Sequence, residues 1–364
     1  MRIVILATEA SGDFLGSELI KAIRIKKKNV IIKGIGGPLM INSNFKSWVN
    51  ISKFNAIGIY EVLIRIFKFI KLINFTEKKI REFQPDIIIS IDSPSFNYRL
   101  LKKLNDLKRK KTKFYHYVAP TVWAWKSYRA KLFANLYHKL FVLFEFEKKY
   151  FIKHKLKTLV VGHQAFYNIK PPPKKKKKII FLLGSRTSEI KNNINEFSLL
   201  IENTISNFSD FSFYILTFKD HLNFFKDIKS KFKNIKIITY TNQKQKIMSE
   251  SFFAVAASGT VTLELAKFNT PMIVVYRTHF ITKLIIKLLV KVKYACLINI
   301  YFDKLIIPEF LFNDFSYKKI LPIFSDFLEN KLKRNEQIKN LKVFSSKMLM
   351  KNKNPAEIIV NSIF

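Results

Sequence analysis

Two carboxylates in the first half of the chain stand directly after short apolar runs. Glu9 comes soon after the run 3–7, and Asp92 follows the apolar run 86–91. A short continuous apolar run is typical of a buried parallel strand, so both carboxylates are predicted at the carboxyl ends of strands. Partial desolvation there raises a carboxyl pKa toward the range that suits a general base. Asp92 is also consistent with a purely structural N-cap before Pro94.

The segment around Glu9, TEASGDFLG, predicts a loop and a helix start at which the backbone approaches a ligand closely. Ser11 and Gly12 are candidate residues of this loop, although the spacing is not that of a dinucleotide-binding fingerprint. Asp13 belongs either to the same site or to the cap of the helix that begins there. Asn97, five residues after Asp92, is grouped with the residues of this loop.

Aromatic residues and histidines follow in the segment HYVAPTVWAWK. Trp123, near a proline turn, suits a platform for a sugar ring or an acyl chain, and equally suits the core. His116 and His163 have no metal-ligand spacing to cysteine or carboxylate, so no metal site is predicted.

A phosphate-binding loop is predicted at the start of the second half. Ser185 and Arg186 follow an apolar run and open a helical pattern. Backbone N–H groups at a helix start and a bidentate guanidinium together bind phosphate. The alternative is a surface ion pair between Arg186 and Glu189.

A second loop of this kind has the sequence ASGTVTLE. Small residues at Ser258, Gly259 and Thr260 would let amides and hydroxyls reach a diphosphate, and Glu264, one turn later, would accept hydrogen bonds from ribose hydroxyls. No lysine follows the loop, so it is not a Walker A motif.

These loops recur in β-loop-α units along the whole chain, which predicts an α/β protein with parallel sheets. Three prolines at 171–173 and five lysines at 174–178 separate the two halves. Prolines cannot continue a helix or a central strand, and like charges repel, so this segment is predicted to be a solvated linker between two domains. Glycines after the strands of each half indicate a ligand cleft between the domains.

The composition is strongly basic, with 65 Lys and Arg against 26 Asp and Glu and a net charge of +39 in 364 residues. Abundant Phe, Lys and Ile accompany it, a bias typical of A/T-rich coding, so the charge is discounted as a functional signal. The lysines are dispersed and no nucleic-acid-binding motif accompanies them, so no specific nucleic-acid partner is expected. A single cysteine, Cys296, fits a reducing compartment.

Two segments are basic and amphipathic, and no segment is apolar enough to span a bilayer. In the segment 61–83 apolar residues recur at helical spacing, and they are predicted either to face a membrane or to enter the core. The residues predicted to face the membrane are Val62, Leu63, Ile66, Phe67 and Ile70. A lysine row at 283, 287 and 291 has the same two interpretations.

Taken together, these segments resemble the lipid-A-disaccharide synthases of Gram-negative bacteria, glycosyltransferases of family 19. The resemblance runs from residue 5 to about residue 308, and the order and spacing of its motifs make it specific. The motifs are TEASGDFLG, GIGGP, GIYEVL, IDSPSFN, HYVAPTVWAWK, VGH, LLGSRTSEI, ASGTVTLE, TPMIVVYR and LIN.

The resemblance implies a GT-B fold, in which two Rossmann-like domains with parallel sheets face each other across a cleft. The predicted domains are an acceptor-side and membrane-facing domain over 1–170 and a UDP-sugar domain over 171–341, with a terminal helix over about 342–364 packing back on the first. The implied reaction transfers 2,3-diacylglucosamine from its UDP donor to the 6-hydroxyl of 2,3-diacylglucosamine 1-phosphate. It proceeds with inversion, releases UDP and uses neither metal nor cofactor.

The resemblance also implies the roles of individual residues and the partners. Asp92 would be the general base and Glu9 would support it or the acceptor. Arg186 and Ser185, with the second loop, would hold the UDP diphosphate, and Asn299 would lie near the donor. The expected partner surface is an anionic inner membrane on its cytoplasmic face. The sequence leaves the oligomeric state open, with a homodimer as one alternative.

Four positions depart from the family pattern, namely Ser95, Gln164, Ile298 and Phe312. The first two are expected to change local packing, and the last two concern the donor-side loop. Another UDP-sugar enzyme of the same fold, a peptidoglycan-precursor transferase or an epimerase, is the alternative function.

Overall fold

The apolar runs of the sequence form the strands of two parallel sheets in a computed structural model of the chain. The structure describes residues 1–51, 54, 62–167, 173–184, 187–232, 234–239, 243–277, 292–350 and 353–364, without the side chains of 62–66, 109 and 188. Two compact units are formed, Met1–Tyr167 with Met348–Phe364, and Asn168–Lys347.

The first unit contains a seven-stranded parallel sheet in the order β3-β2-β1-β4-β5-β6-β7 among the described residues. Its strands are β1 (Arg2–Ala7), β2 (Ile31–Ile35), β3 (Lys46–Ser47), β4 (Ile87–Ile91), β5 (Lys113–Tyr117), β6 (Lys139–Val142) and β7 (Lys157–Val160). The helices between them are α1 (Ala10–Lys26), α2 (Pro38–Asn42), α3 (Val62–Phe83), α4 (Pro94–Lys103), α5 (Asn105–Arg109), α6 (Arg129–Leu136) and α7 (Glu145–Ile152). Strands β1 and β4 are almost wholly buried, which is why their sequences read as continuous apolar runs.

The second unit repeats this plan with a six-stranded parallel sheet in the order β10-β9-β8-β11-β12-β13, counted over the described part of the chain. Its strands are β8 (Lys176–Leu182), β9 (Ser212–Thr217), β10 (Ile235–Thr239), β11 (Ser251–Ala257), β12 (Met272–Tyr276) and β13 (Glu309–Leu311). Its helices are α8 (Thr187–Asn207), α9 (Lys226–Lys231), α10 (Gln243–Glu250), α11 (Val261–Lys267), α12 (Leu297–Phe302), α13 (Tyr317–Glu329) and α14 (Lys331–Met348). A separate apolar core fills each unit.

The end of the chain forms two helices where the sequence predicted one over 342–364. Helix α14 ends at Met348, and α15 (Pro355–Ile363) follows it. Pro355 lacks an N–H and therefore starts a helix well, and the Asn354 side chain accepts a hydrogen bond from the Ala356 N–H at 3.0 Å. Helix α15 packs on α1 in the first unit.

The lysine run 174–178 is only in part the solvated linker that the sequence predicted, because Lys174, Lys176 and Lys177 are exposed but a strand begins inside the run. Strand β8 begins at Lys176, and Lys176 and Lys178 both pair with the Glu250 carboxylate. The Lys175 ammonium donates to two backbone carbonyls and a threonine hydroxyl, and burial lowers its pKa to about 7. Partners from elsewhere in the unit thus relieve the repulsion that the sequence alone indicates.

Candidate active site

The sheet of the first unit has a switch point between β1 and β4, where the chain connections leave in opposite directions. Ala7 pairs with Ile91 at the ends of these strands, so the loops that follow them lie side by side. Open α/β sheets bind ligands in this crevice, outside the carboxyl ends of the strands. Glu9 comes from the β1 loop and Asp92 from the β4 loop, as the apolar runs predicted.

The backbone at Asp92 has a conformation that side-chain-bearing residues rarely adopt. Asp92 has φ 52° and Ser93 has φ 44°, both in the left-handed region. The Asp92 N–H donates to the Tyr117 carbonyl at 2.9 Å, and the Asn97 side-chain amide donates to the Asp92 carbonyl at 2.7 Å. These bonds from β5 and α4 hold a strained turn of the kind that clusters at functional sites.

One serine contacts both carboxylates of this switch point. The Ser93 N–H donates to Asp92 Oδ1 at 2.7 Å, and the Ser93 hydroxyl donates to Glu9 Oε1 at 3.0 Å. Thr8 Oγ1 in turn donates to the Ser93 hydroxyl at 2.7 Å. Burial, and then the negative charge of Glu9, raise the pKa of Asp92 to about 6, against the Ser93 N–H, which lowers it. The sequence interpretation did not single out Thr8 or Ser93, whose hydroxyls beside the carboxylates were the available signal.

The other candidate residues of the β1 loop have different environments. Ser11 is exposed, whereas a side chain at Gly12 would meet Ala7 Cβ at 3.2 Å, so Gly12 lets α1 pack closely on β1. Of the two roles that the sequence left open for Asp13, the cap of its own helix is wrong. Its buried carboxylate accepts the N–H groups of Gly37, Leu39 and Met40 at 2.8 to 3.0 Å, so it caps α2 instead. Glu9 occupies the N-cap position of α1, but its side chain makes no capping hydrogen bond to the first turn of that helix.

Trp123 is half-buried, and its ring packs edge-on against Phe146. Its indole N–H lies 3.4 Å from Glu147 Oε1. Glu147 accepts the N–H groups of Leu143 and Phe144, and burial raises its pKa to about 7. Trp123 is therefore neither a fully buried core residue nor a fully exposed platform for a ligand. Part of its surface packs on the protein, and the rest is exposed.

The histidines have structural partners. His116 is fully buried on β5, its Nδ1 lies 2.7 Å from the Ser90 hydroxyl, and burial lowers its pKa to about 3. His163 Nδ1 accepts the Ala165 N–H at 3.1 Å. Over the part of the chain that the structure describes, no cluster of three or more His, Cys, Asp or Glu could hold a metal ion.

The second unit has the equivalent switch point between β8 and β11, where Leu182 pairs with Ala256. Gly184, after β8, has φ +125°, and a side chain there would meet the Glu189 carboxylate at 2.7 Å, so only glycine suits this turn. Ser185 and Arg186, the predicted phosphate ligands, lie outside the described residues.

The loop after β11 carries the predicted diphosphate-binding residues. Gly259 and Thr260 are exposed, and nothing lies within 4 Å of a Cβ built on Gly259, so this loop leaves room for a ligand. Ser258 is half-buried, and its hydroxyl donates to the Ala295 carbonyl at 3.1 Å. Glu264, in α11, pairs with Lys244 at 2.8 Å and remains partly exposed. Lys244 is a neighbour that the sequence did not predict.

Asn299, which the resemblance places near the donor, is held inside the second unit. Its side chain is fully buried, and both amide hydrogens and both acceptor positions are used within the unit. It donates to the Ile307 carbonyl and Glu309 Oε1 and accepts the N–H groups of Ile306 and Ile307. The Glu309 carboxylate also accepts the N–H groups of residues 295 and 296, each at 2.8 Å. Asn299 thus fixes the loop that supports Ser258, and in this arrangement it has no group left for a ligand.

The predicted membrane-facing residues lie at the start of α3. Phe67 is 66% exposed and Ile70 is 44% exposed, while Ile73 further along the predicted stripe enters the core. The side chains of Val62, Leu63 and Ile66 lie outside the description, as does the lysine row 283–291. Among the described residues, no helix has the length and apolar character needed to cross a membrane.

The four departures from the family pattern have these surroundings. Ser95 accepts a hydrogen bond from Arg129 at 3.3 Å. Gln164 and Ile298 are buried. Phe312 follows β13 with a left-handed backbone and packs against Tyr276.

Solved structures with the same architecture include UDP-GlcNAc 2-epimerases. The enzyme of Neisseria meningitidis bound to UDP-GlcNAc matches with a TM-score of 0.67 and 13% identity over 100% of this chain and 99% of its own. A glycosyltransferase of kitacinnamycin matches with a TM-score of 0.63 and 9% identity over 100% and 98%. At these identities the likeness shows the fold alone, which is the predicted GT-B fold of two parallel-sheet units.

The relatives found by sequence identify the family as well as the fold. A lipid-A-disaccharide synthase of Rickettsia bellii is 39% identical over 324 residues, covering 85% of this chain and 84% of its own. The enzymes of Rickettsia felis and Rickettsia prowazekii are 35% and 34% identical over 100% of this chain, covering 95% and 98% of theirs. The model of the lipid-A-disaccharide synthetase family matches residues 3–363. The chain therefore belongs to the lipid-A-disaccharide synthetase family.

Proposed function

We propose that this chain forms the lipid A disaccharide by transferring 2,3-diacylglucosamine from UDP to the 6-hydroxyl of 2,3-diacylglucosamine 1-phosphate. The products are the β-1,6-linked disaccharide 1-phosphate and UDP. Membership of the family supports this reaction, as do the residues at the two switch points.

The observation that carries the proposal is the pair of carboxylates at the β1/β4 switch point. Asp92 lies at the end of a buried strand, with a pKa raised to about 6. Near neutral pH it is ionised, yet it binds a proton more readily than an ordinary aspartate. That combination suits a general base. Glu9 lies beside it and is exposed, so it is available to the acceptor.

In the proposed displacement, Asp92 takes the proton of the acceptor 6-hydroxyl as that oxygen forms a bond to the anomeric carbon of the donor sugar. The bond from the anomeric carbon to the UDP oxygen breaks on the opposite face, which inverts the configuration. The leaving diphosphate gains negative charge as this bond breaks. The catalyst therefore needs a base on the acceptor side and hydrogen-bond donors or a cation on the donor side.

We assign the donor side to the β8/β11 switch point. The exposed hydroxyl and amides of Gly259 and Thr260 suit the diphosphate, and Arg186 is proposed to pair with it. Glu264 is proposed to accept from the ribose hydroxyls while Lys244 holds its carboxylate. Asn299 and Glu309 support this loop from behind. The proposal assigns the stabilisation of charge to these groups and needs no metal ion.

An epimerase reaction is the weaker candidate. The epimerases of Neisseria meningitidis and Methanocaldococcus jannaschii share the fold at 13% and at 14 to 16% identity, whereas the family relatives reach 39%. Fold likeness at that level says little about the reaction, since one fold hosts many chemistries.

Because both substrates carry acyl chains, we propose that the protein works on the cytoplasmic face of the inner membrane. Exposed Phe67 and Ile70 on α3, with the exposed Lys68 and Lys71 beside them, suit insertion into an anionic surface. Sedimentation with anionic phospholipid vesicles should fall for F67E/I70E and stay unchanged for L332E, since Leu332 is a still more exposed apolar residue in the other unit. Equal sedimentation of the two variants would contradict this part of the proposal.

The reaction itself is tested with purified protein, both substrates in detergent and a readout of UDP release together with disaccharide by mass spectrometry. Wild-type protein should give both products, and omission of the acceptor should abolish UDP release. Conversion of UDP-GlcNAc to its 2-epimer without disaccharide would favour the alternative.

A further inference from the structure

The Ser93 side chain connects Glu9 to the turn that carries Asp92. Its backbone N–H is bound to one carboxylate and its hydroxyl to the other, although Ser93 and Glu9 lie 84 residues apart in the chain. A third residue, Thr8, is 3% exposed and donates to the Ser93 oxygen.

The direction of these hydrogen bonds follows from the chemistry of the groups. A serine hydroxyl has one proton, and an ionised carboxylate only accepts. Because Ser93 accepts the Thr8 proton, its own proton is directed at Glu9 Oε1. The chain from Thr8 through Ser93 therefore fixes the position of the Glu9 carboxylate.

We propose that Thr8 and Ser93 are positioning residues, whose two hydroxyls hold the ionised Glu9 carboxylate in place beside Asp92. This inference rests on the proposed function in one respect, that Asp92 is the base. It adds a role for two side chains that do not themselves react.

The other titratable groups around Asp92 are neutral or bound elsewhere, so Glu9 is the nearby charge that acts on Asp92. On the β5 side, Tyr117 contributes its backbone carbonyl, and burial raises the pKa of its phenol, so it stays neutral. His116 on the same strand has a pKa lowered to about 3 and is neutral as well. Arg129 from α6 is bound to the Ser95 hydroxyl and lies over the Trp125 ring.

A Glu9 carboxylate held beside Asp92 affects how firmly Asp92 keeps the proton that it takes from the acceptor. A fixed negative charge near Asp92 disfavours a second one, so the proton taken from an acceptor stays on Asp92. Burial is the larger cause of the raised pKa of Asp92, so release of Glu9 should lower that pKa only part of the way.

The test compares S93A, E9Q and the double variant by two measurements on the full-length protein. One is the acid limb of kcat/KM against pH. The other is a carboxyl ¹³C NMR titration of Asp92 without substrates, assigned by comparison with D92N. Each single variant should move both toward lower pH by about half a unit, a roughly threefold change. The double variant should move them no further than E9Q alone, because the hydroxyl acts through Glu9.

Matched variants separate the hydroxyl from the backbone strain. S93G suits the left-handed φ of 44° and lacks the hydroxyl, so it should shift the titration as S93A does even if S93A is poorly folded. T8V should shift it less and in the same direction, and T8S should restore the wild-type position. A titration of Asp92 that stays in place in S93A and S93G, or shifts that add in the double variant, would overturn the inference.

The NMR measurement keeps this inference distinct from the proposed reaction. If the titration shifts as expected while the wild type makes no disaccharide, the hydroxyl chain stands and the reaction is wrong. If disaccharide forms and Asp92 titrates identically in all variants, the reaction stands and the positioning role is refuted.

Discussion

The two units share one strand order but place different chemistry at the same topological position. In the first unit the β1/β4 switch point carries the carboxylates of Glu9 and Asp92, linked by Ser93. In the second unit the β8/β11 switch point carries a turn at Gly184 and the small residues Ser258 to Thr260. The carboxyl ends of the strands define where a ligand binds, and the side chains there decide what is done to it.

The contrast matches what a glycosyl transfer needs. A proton acceptor must be partly desolvated to have a raised pKa, which the end of the buried strand β4 provides. A diphosphate is large and anionic, so its loop needs space and hydrogen-bond donors, as at Gly259 and Thr260. The proposed division is therefore between a first unit that supplies the base and a second unit that binds UDP, and it is tested below together with the structural role of Asp13.

The largest effect is expected for D92N. Loss of the base should lower kcat by about a thousandfold, as removal of general bases commonly does, while UDP affinity stays within about twofold. UDP release and calorimetric UDP binding measure the two quantities. D227N, which changes an exposed aspartate of the second unit, is the matched control. A parallel loss of UDP affinity in D92N would contradict the proposal that the first unit supplies the base and the second unit binds UDP.

The second prediction concerns Asp13, an acid of the first unit with a structural role. D13A should lower the free energy of unfolding by about 3 kcal/mol, because three N–H groups around α2 lose their acceptor. Urea unfolding measures this change, with D227A as control. A loss below about 1 kcal/mol would contradict the capping role, because one ordinary hydrogen bond is worth that much.

The third prediction is the pH dependence of the wild type. A base must be ionised, so kcat/KM should fall about tenfold per unit as the pH drops below about 6, where Asp92 becomes protonated. Glu147, with a pKa raised to about 7, is the competing group, and E147Q should keep the acid limb in place. An acid limb that moves in E147Q would show that Glu147 controls it, which would contradict the assignment of the base to Asp92.

The smallest effect is expected for T260V on the donor side. Loss of one hydroxyl should weaken UDP binding about fivefold, the worth of a single hydrogen bond of about 1 kcal/mol. The acid limb of kcat/KM should not move, because Thr260 lies in the unit without the base. T260S should retain affinity, and a shifted limb in T260V would argue against the separation of roles.

Much of the fold could be read from local patterns. The predicted strands over 3–7 and 86–91 coincide with the buried strands β1 and β4 to within a residue, since continuous apolar runs are what a sheet covered on both faces requires. The lysine run at 174–178 was misread because its charges are paired by partners such as Glu250, far away in the chain. Asp13 was misread for the same reason, because the helix that it caps is not the one in which it lies.

The sequence by itself selected the loops with candidate residues for chemistry, because residue types and their spacing after apolar runs are local properties. It selected Asp92 and Glu9 on this basis, and the small residues of the second half. Only the tertiary structure decided which of these groups meet. The pairing of β1 with β4 brings Glu9 to Ser93, and the use of all four hydrogen-bonding positions of Asn299 turns that side chain inward. Such contacts depend on strand order and backbone conformation, which join residues that no local pattern connects.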